Sequence, residues 1–80
     1  MNNSNNNDKL KLFGKRLKQA REEKGYTQEM LGSMVGIGPD KPTISKYENG
    51  KHEPRALLIL TFADILGVSA DWLLGRTDKK

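Results

Sequence analysis

Cysteine is absent from the chain, and histidine occurs once, at His52. The first absence removes a disulfide framework and any thiolate metal site, and it suits a reducing compartment. His52 falls in a short polar stretch with no serine nucleophile motif beside it, so it reads as a surface residue. Ligand spacings for zinc or calcium are missing, as is a glycine-rich phosphate loop with its lysine. No apolar run reaches the ~18 residues of a membrane span, and no signal-peptide pattern opens the sequence. These gaps argue against an enzyme, a metalloprotein or a membrane protein, and no cofactor is expected.

What is present fits one small domain. Eighty residues at 35% apolar content bury only about 60% of their unfolded surface, so association with a second copy would help stability. A net charge of +4 and a pI near 9.5 suit a polyanionic partner. Residues 1–8, MNNSNNND, have nothing to bury and are expected to be a disordered tail. That tail has no arginine or lysine with which to enter a minor groove.

The remaining pattern is helical. Leu10, Phe13, Leu17 and Ala20 recur at three and four residues and predict a first helix from about Lys9 to Lys24, closed by Gly25. Lys9, Lys11, Lys15, Arg16 and Lys18 crowd its first half, as a solvated face or as contacts to phosphates. Ala56, Ile59, Leu60, Ala63 and Leu66 predict the inward stripe of a later helix stopped by Gly67. Val68 and Ser69 then open a short helix over 70–74. Residues 77–80 are expected to fray. The fold class is all-α, with five helices in a domain spanning 9–76.

The informative stretch is Tyr26 to Gly50. Thr27 is a good N-cap, so a helix begins at Gln28. Met30, Leu31 and Met34 or Val35 follow at helical spacing, with Gly32 where a second helix must come close. Gly36 ends this helix, because the turn needs positive φ. A second helix follows, with Ile44 and Tyr47 inward. Its N-cap is Asp40 or Lys41, because Pro42 restricts the residue before it.

This ordered set over 27–49, with Gln28, Gly32, Gly36, Ile44, Tyr47 and the closing Glu48-Asn49-Gly50, resembles the helix-turn-helix of the lambdoid phage repressor and Cro family, also called the Xre family. The resemblance covers about 10–78 and implies a compact five-helix, lambda-repressor-like DNA-binding domain. One departure is visible: Gly36 to Ile44 is eight residues, about two more than the resembling turn has, which implies a longer turn before an intact recognition helix. The resemblance also implies a structural ion pair between Arg21 and Glu48, and a two-fold dimer contact near the end of helix 4 and helix 5. Trp72 and Leu74 occupy that region, and with Leu57, also assigned to the dimer contact, they exceed what one inward stripe needs, although Trp72 fits a core position equally well.

With Ile44 and Tyr47 inward, the opposite face of the recognition helix carries Lys41, Pro42, Ser45 and Lys46. These are the expected base readers, Lys46 toward guanine and Pro42 by apolar contact only. Thr27, Gln28, Thr43, Asn49, Lys51 and Arg55 are the expected phosphate contacts; Gln28 is favoured by its place at a helix N-terminus. The implied partner is double-stranded DNA, bound in the major groove of an inverted-repeat operator by a homodimer. The implied role is that of a bacterial or phage-encoded transcriptional regulator, most often a repressor, working in the cytoplasm at the nucleoid. A DNA-binding antitoxin, with the apolar surplus turned toward a toxin protein, is the alternative.

Overall fold

The computed structural model describes residues 4–80. Five helices follow in order: α1 (Ser4–Glu23), α2 (Gln28–Met34), α3 (Lys41–Glu48), α4 (Ala56–Leu66) and α5 (Ala70–Leu73), with no strand among the described residues. The packed face of α1 is the expected one, with Phe13, Leu17 and Ala20 buried and Leu10 half-buried. The helix begins earlier than its apolar pattern, however, and 4–8 continue it rather than forming part of a tail. Once the apolar face is packed, each further residue extends an existing helix without a nucleation cost. The rest of the expected tail, 1–3, lies outside the described residues.

The core joins α1, α3 and α4 through aromatic contacts. Phe62 is fully buried, with its ring centroid 6.4 Å from that of Phe13 and 6.0 Å from that of Tyr47. This corrects the expected inward stripe of α4. Ala56 and Leu60 face solvent, Leu60 at 51% exposure, and the packed face is Ile59, Phe62, Ala63 and Leu66. The helix reads ALLILTFADIL, apolar on nearly every side, so helical spacing alone allows more than one stripe.

At the C-terminal end, Ser69 caps α5 by accepting the Trp72 N–H at 2.9 Å. Residues 77–80, expected to fray, are strapped to α1 instead. Arg16 donates to the carbonyls of Trp72 at 2.6 Å and Thr77 at 2.8 Å and pairs with Asp78, while Lys80 pairs with Glu23 at 2.8 Å. The Arg16 guanidinium also lies 5.0 Å from the Trp72 ring centre, a favourable cation–π placement. Trp72 itself is 4% exposed. It is therefore a core residue, with little of the ring left for the expected dimer contact.

Candidate nucleic-acid interface

The site is built from α2, the turn and α3. Thr27 accepts the Met30 N–H at 3.0 Å, while the Thr27 N–H donates to the Met30 sulfur at 3.5 Å, so both ends of the cap are tied. The Thr27 hydroxyl keeps its proton, and the residue is exposed. After Met34 the chain turns at Gly36, with φ of 90°. The N–H groups of Ile37 and Gly38 both donate to the Gly32 carbonyl, at 2.9 and 3.1 Å. Ile37 packs against the core. The start of the lengthened turn is thus folded back and pinned rather than looped out. Gly32 is required by that turn, since a Cβ there would run into the Gly38 carbonyl oxygen. Its close neighbour is the turn backbone and not, as expected, the second helix.

Asp40 is the N-cap of α3. Its carboxylate accepts the Thr43 N–H at 3.2 Å and the Thr43 hydroxyl at 2.7 Å. Those two bonds, the hydroxyl first, hold the carboxyl below its ordinary pKa, with a smaller contribution from Lys46. Lys41 and Pro42 then occupy the first turn, where a missing N–H does no harm. The same cap engages Thr43, an expected phosphate contact, and disfavours that role. Its only hydroxyl proton goes to Asp40, and the adjacent carboxylate repels a phosphate.

Behind α3 the helix is fixed by a buried charge network. Arg21 Nε donates to Glu48 Oε2 at 2.6 Å and Arg21 Nη2 to Glu48 Oε1 at 3.2 Å, while Arg21 Nη1 donates to the Tyr26 carbonyl at 2.8 Å. Gln28 Nε2 donates to Glu48 Oε1 at 2.9 Å. Only the amide nitrogen of Gln28 can donate to a carboxylate, so its orientation is fixed and one N–H remains for an outside acceptor. The bond with Glu48 raises the pKa of Arg21, against the opposing effect of burial. No buried side-chain nitrogen or oxygen lacks a partner among the described residues.

Gly14 of α1 was not singled out by its sequence position, yet a Cβ on it would meet the Glu48 and Tyr47 carbonyl oxygens. α1 therefore touches the backbone of α3 directly. The available signal was a glycine within an otherwise regular helix, seven residues before Arg21.

The outer face of α3 is left open. Lys41, Pro42, Lys46 and Asn49 are exposed and Ser45 is half-exposed. Asn49 Nδ2 donates to the Ser45 hydroxyl oxygen at 3.2 Å, which leaves the Ser45 proton available. Lys51 and Arg55 are exposed in the following loop. Arg16, Arg21, Arg76 and Lys80 pair with acidic groups, whereas Lys41, Lys46, Lys51 and Arg55 form no ion pair among the described residues, as is also true of Lys9, Lys11, Lys15, Lys18, Lys24 and Lys79. Of the apolar residues proposed for a dimer contact, Leu57 is 76% and Leu74 40% exposed. Among the described residues there is no group of three or more His, Asp or Glu that could hold a metal ion, and no helix is long and apolar enough to cross a membrane.

Residues 14–79 match the helix-turn-helix domain family. The chain is similar to YonR, an SPbeta prophage-derived uncharacterized HTH-type transcriptional regulator of Bacillus subtilis, with 42% identity over 82% of this chain and 59% of that protein. It is also similar to the HTH-type transcriptional regulator ImmR of B. subtilis, with 37% identity over 82% of this chain and 50% of the relative. For the uncharacterized HTH-type regulator YazB of the same organism, identity is 37% over 78% of this chain and 87% of the relative. The matched region thus spans only part of YonR and ImmR and most of YazB.

Proposed function

The chain belongs to the Xre-type helix-turn-helix domain family, and from that premise we propose that it regulates transcription by sequence-specific binding of double-stranded DNA. The observation that carries this reading is the outer face of α3, basic, unpaired and exposed, on a helix whose inner face is fixed by the Arg21–Glu48–Gln28 network. A face of that kind can enter the major groove without first breaking internal contacts, and a rigid helix holds its readers in register.

Lys41, Pro42, Ser45 and Lys46 read base edges, while Thr27, Gln28, Asn49, Lys51 and Arg55 hold phosphates. Two copies related by a two-fold axis, meeting through Leu57 and Leu74, set their α3 helices about 34 Å apart and read an inverted repeat. Occupying such an operator blocks polymerase, so the role is repression, exercised on nucleoid DNA in the cytoplasm.

Selection from random duplex DNA tests the reading, with Lys46→Ala and Lys51→Ala beside the wild type. An inverted repeat should be enriched at moderate salt. Lys46→Ala should relax preference at one position per half-site, by about 1–3 kcal/mol. Lys51→Ala should weaken all sequences alike and lower the salt slope by about one. Absence of any enriched sequence refutes specific binding, and indistinguishable effects of the two substitutions refute the division between base and phosphate contacts.

A further inference from the structure

The run of lysines along α1 is not one uniform solvated face. Lys9 lines a groove with Glu53 and Arg76. The side chain of Lys24 lies toward the end of α4, with its ammonium 3.5 Å from where a Cβ on Gly67 would stand. Lys11 occupies a different place. A Cβ on Gly50 would come within 3.2 Å of the Lys11 Cα and 3.3 Å of its Cγ, so Lys11 rests against the residue that leaves the C-terminal end of α3. Gly50 has φ of 70°, and with Gly14 beneath the last carbonyls of α3 it brings the two backbones together. Lys11 is exposed and forms no ion pair among the described residues. Lys51, also exposed and unpaired, follows Gly50 directly.

We propose that Lys11 of α1 is a DNA-phosphate anchor, paired with Lys51 across Gly50, on the strand that passes the C-terminal end of α3. The proposal rests on the DNA-binding reading above and assigns to α1 a part in docking. A helix in the major groove has one phosphate strand on each side of a trough about 12 Å wide. The start of α2, with Thr27 and Gln28, serves one strand. The segment 49–51 serves the other, and the contact with Gly50 delivers Lys11 to the same place. Because α1 carries the Arg21 that fixes α3, the anchor and the recognition helix move as one body.

A purely structural role is the competing explanation, since a cation near a helix C-terminus also favours the exposed carbonyls there. Salt dependence separates the two, because each phosphate neutralised adds about 0.9 to the slope of log K against log salt. On the duplex selected by the wild type, Lys11→Ala should lower the slope by about 0.9 per bound protomer and weaken binding about 5- to 10-fold per protomer near 0.1 M salt. Lys11→Arg should restore both, and thermal melting should show each variant folded. Lys24→Ala controls for loss of one charge from a distant face and should leave the slope nearly unchanged. Equal slopes for Lys11→Ala and Lys24→Ala overturn the proposal while leaving DNA binding intact. Failure of the wild type to select any sequence overturns the reading beneath it as well.

Discussion

Replacing Glu48 by alanine should destabilise the domain by about 3–5 kcal/mol, the usual consequence of removing one partner of a buried ion pair. The side chains of Glu48 and Arg21 are only 2% and 10% exposed, and they meet at 2.6 Å. Without the carboxylate, Arg21 keeps only its bond to the Tyr26 carbonyl as a strong contact, and the Gln28 amide loses its acceptor. Domains of this size have about 5–15 kcal/mol in total, so the variant should be partly unfolded near physiological temperature. The same removal also frees α3 from α1 and α2, so DNA binding should fail together with folding and not ahead of it. Urea denaturation reads the effect directly; an unmoved midpoint would show that the pair contributes nothing. Replacing both partners with apolar residues of similar size should cost far less, since no charge is then stranded.

Phe62→Ala should have a comparable effect, about 3–5 kcal/mol, because a fully buried aromatic leaves a cavity that its neighbours fill only in part. Its ring is the contact between Phe13 on α1 and Tyr47 on α3, so the loss reaches the recognition helix as well as the core. Leu60→Ala on the same helix, at a position 51% exposed, should change stability by no more than about 1 kcal/mol. Melting curves of the two variants give the comparison. Equal destabilisation would mean that the face of α4 has been misplaced.

The contrast between Phe62 and Leu60 marks where the sequence was readable. Signals carried by a few neighbouring residues were legible: the Thr27 cap, the Gly36 turn, the inward Ile44 and the stop at Gly67 each follow from local backbone chemistry. α4 was not, because a helix apolar on nearly every side has no single face until its neighbours choose one. Arg16 was hidden for a different reason. It sits in a run of basic residues that reads as solvated, while its acceptors are the Trp72 and Thr77 carbonyls at the far end of the chain. Trp72 was left between core and interface by its sequence position, and the packing of Arg16 and 77–80 around it decides for the core.

Within the site, the outward residues of α3 followed from subtraction once Ile44, Tyr47 and Glu48 were turned inward. The bond from Thr43 to Asp40 did not, since it depends on where one hydroxyl proton goes. Gly14 escaped because its role is a close approach to a helix more than thirty residues away in sequence, which no local pattern records.

The central claim is that the outer face of α3 distinguishes one DNA sequence from another. Its most direct test is the ratio of affinities for the selected inverted repeat and for a scrambled duplex of equal length, measured with the wild type from about 50 to 200 mM salt. The expected result is a preference of about 10³-fold or more that survives at the upper salt concentration, with two chains bound per repeat. Equal affinity for the two duplexes, falling away together as salt rises, would contradict it and leave only the attraction of a basic surface for a polyanion.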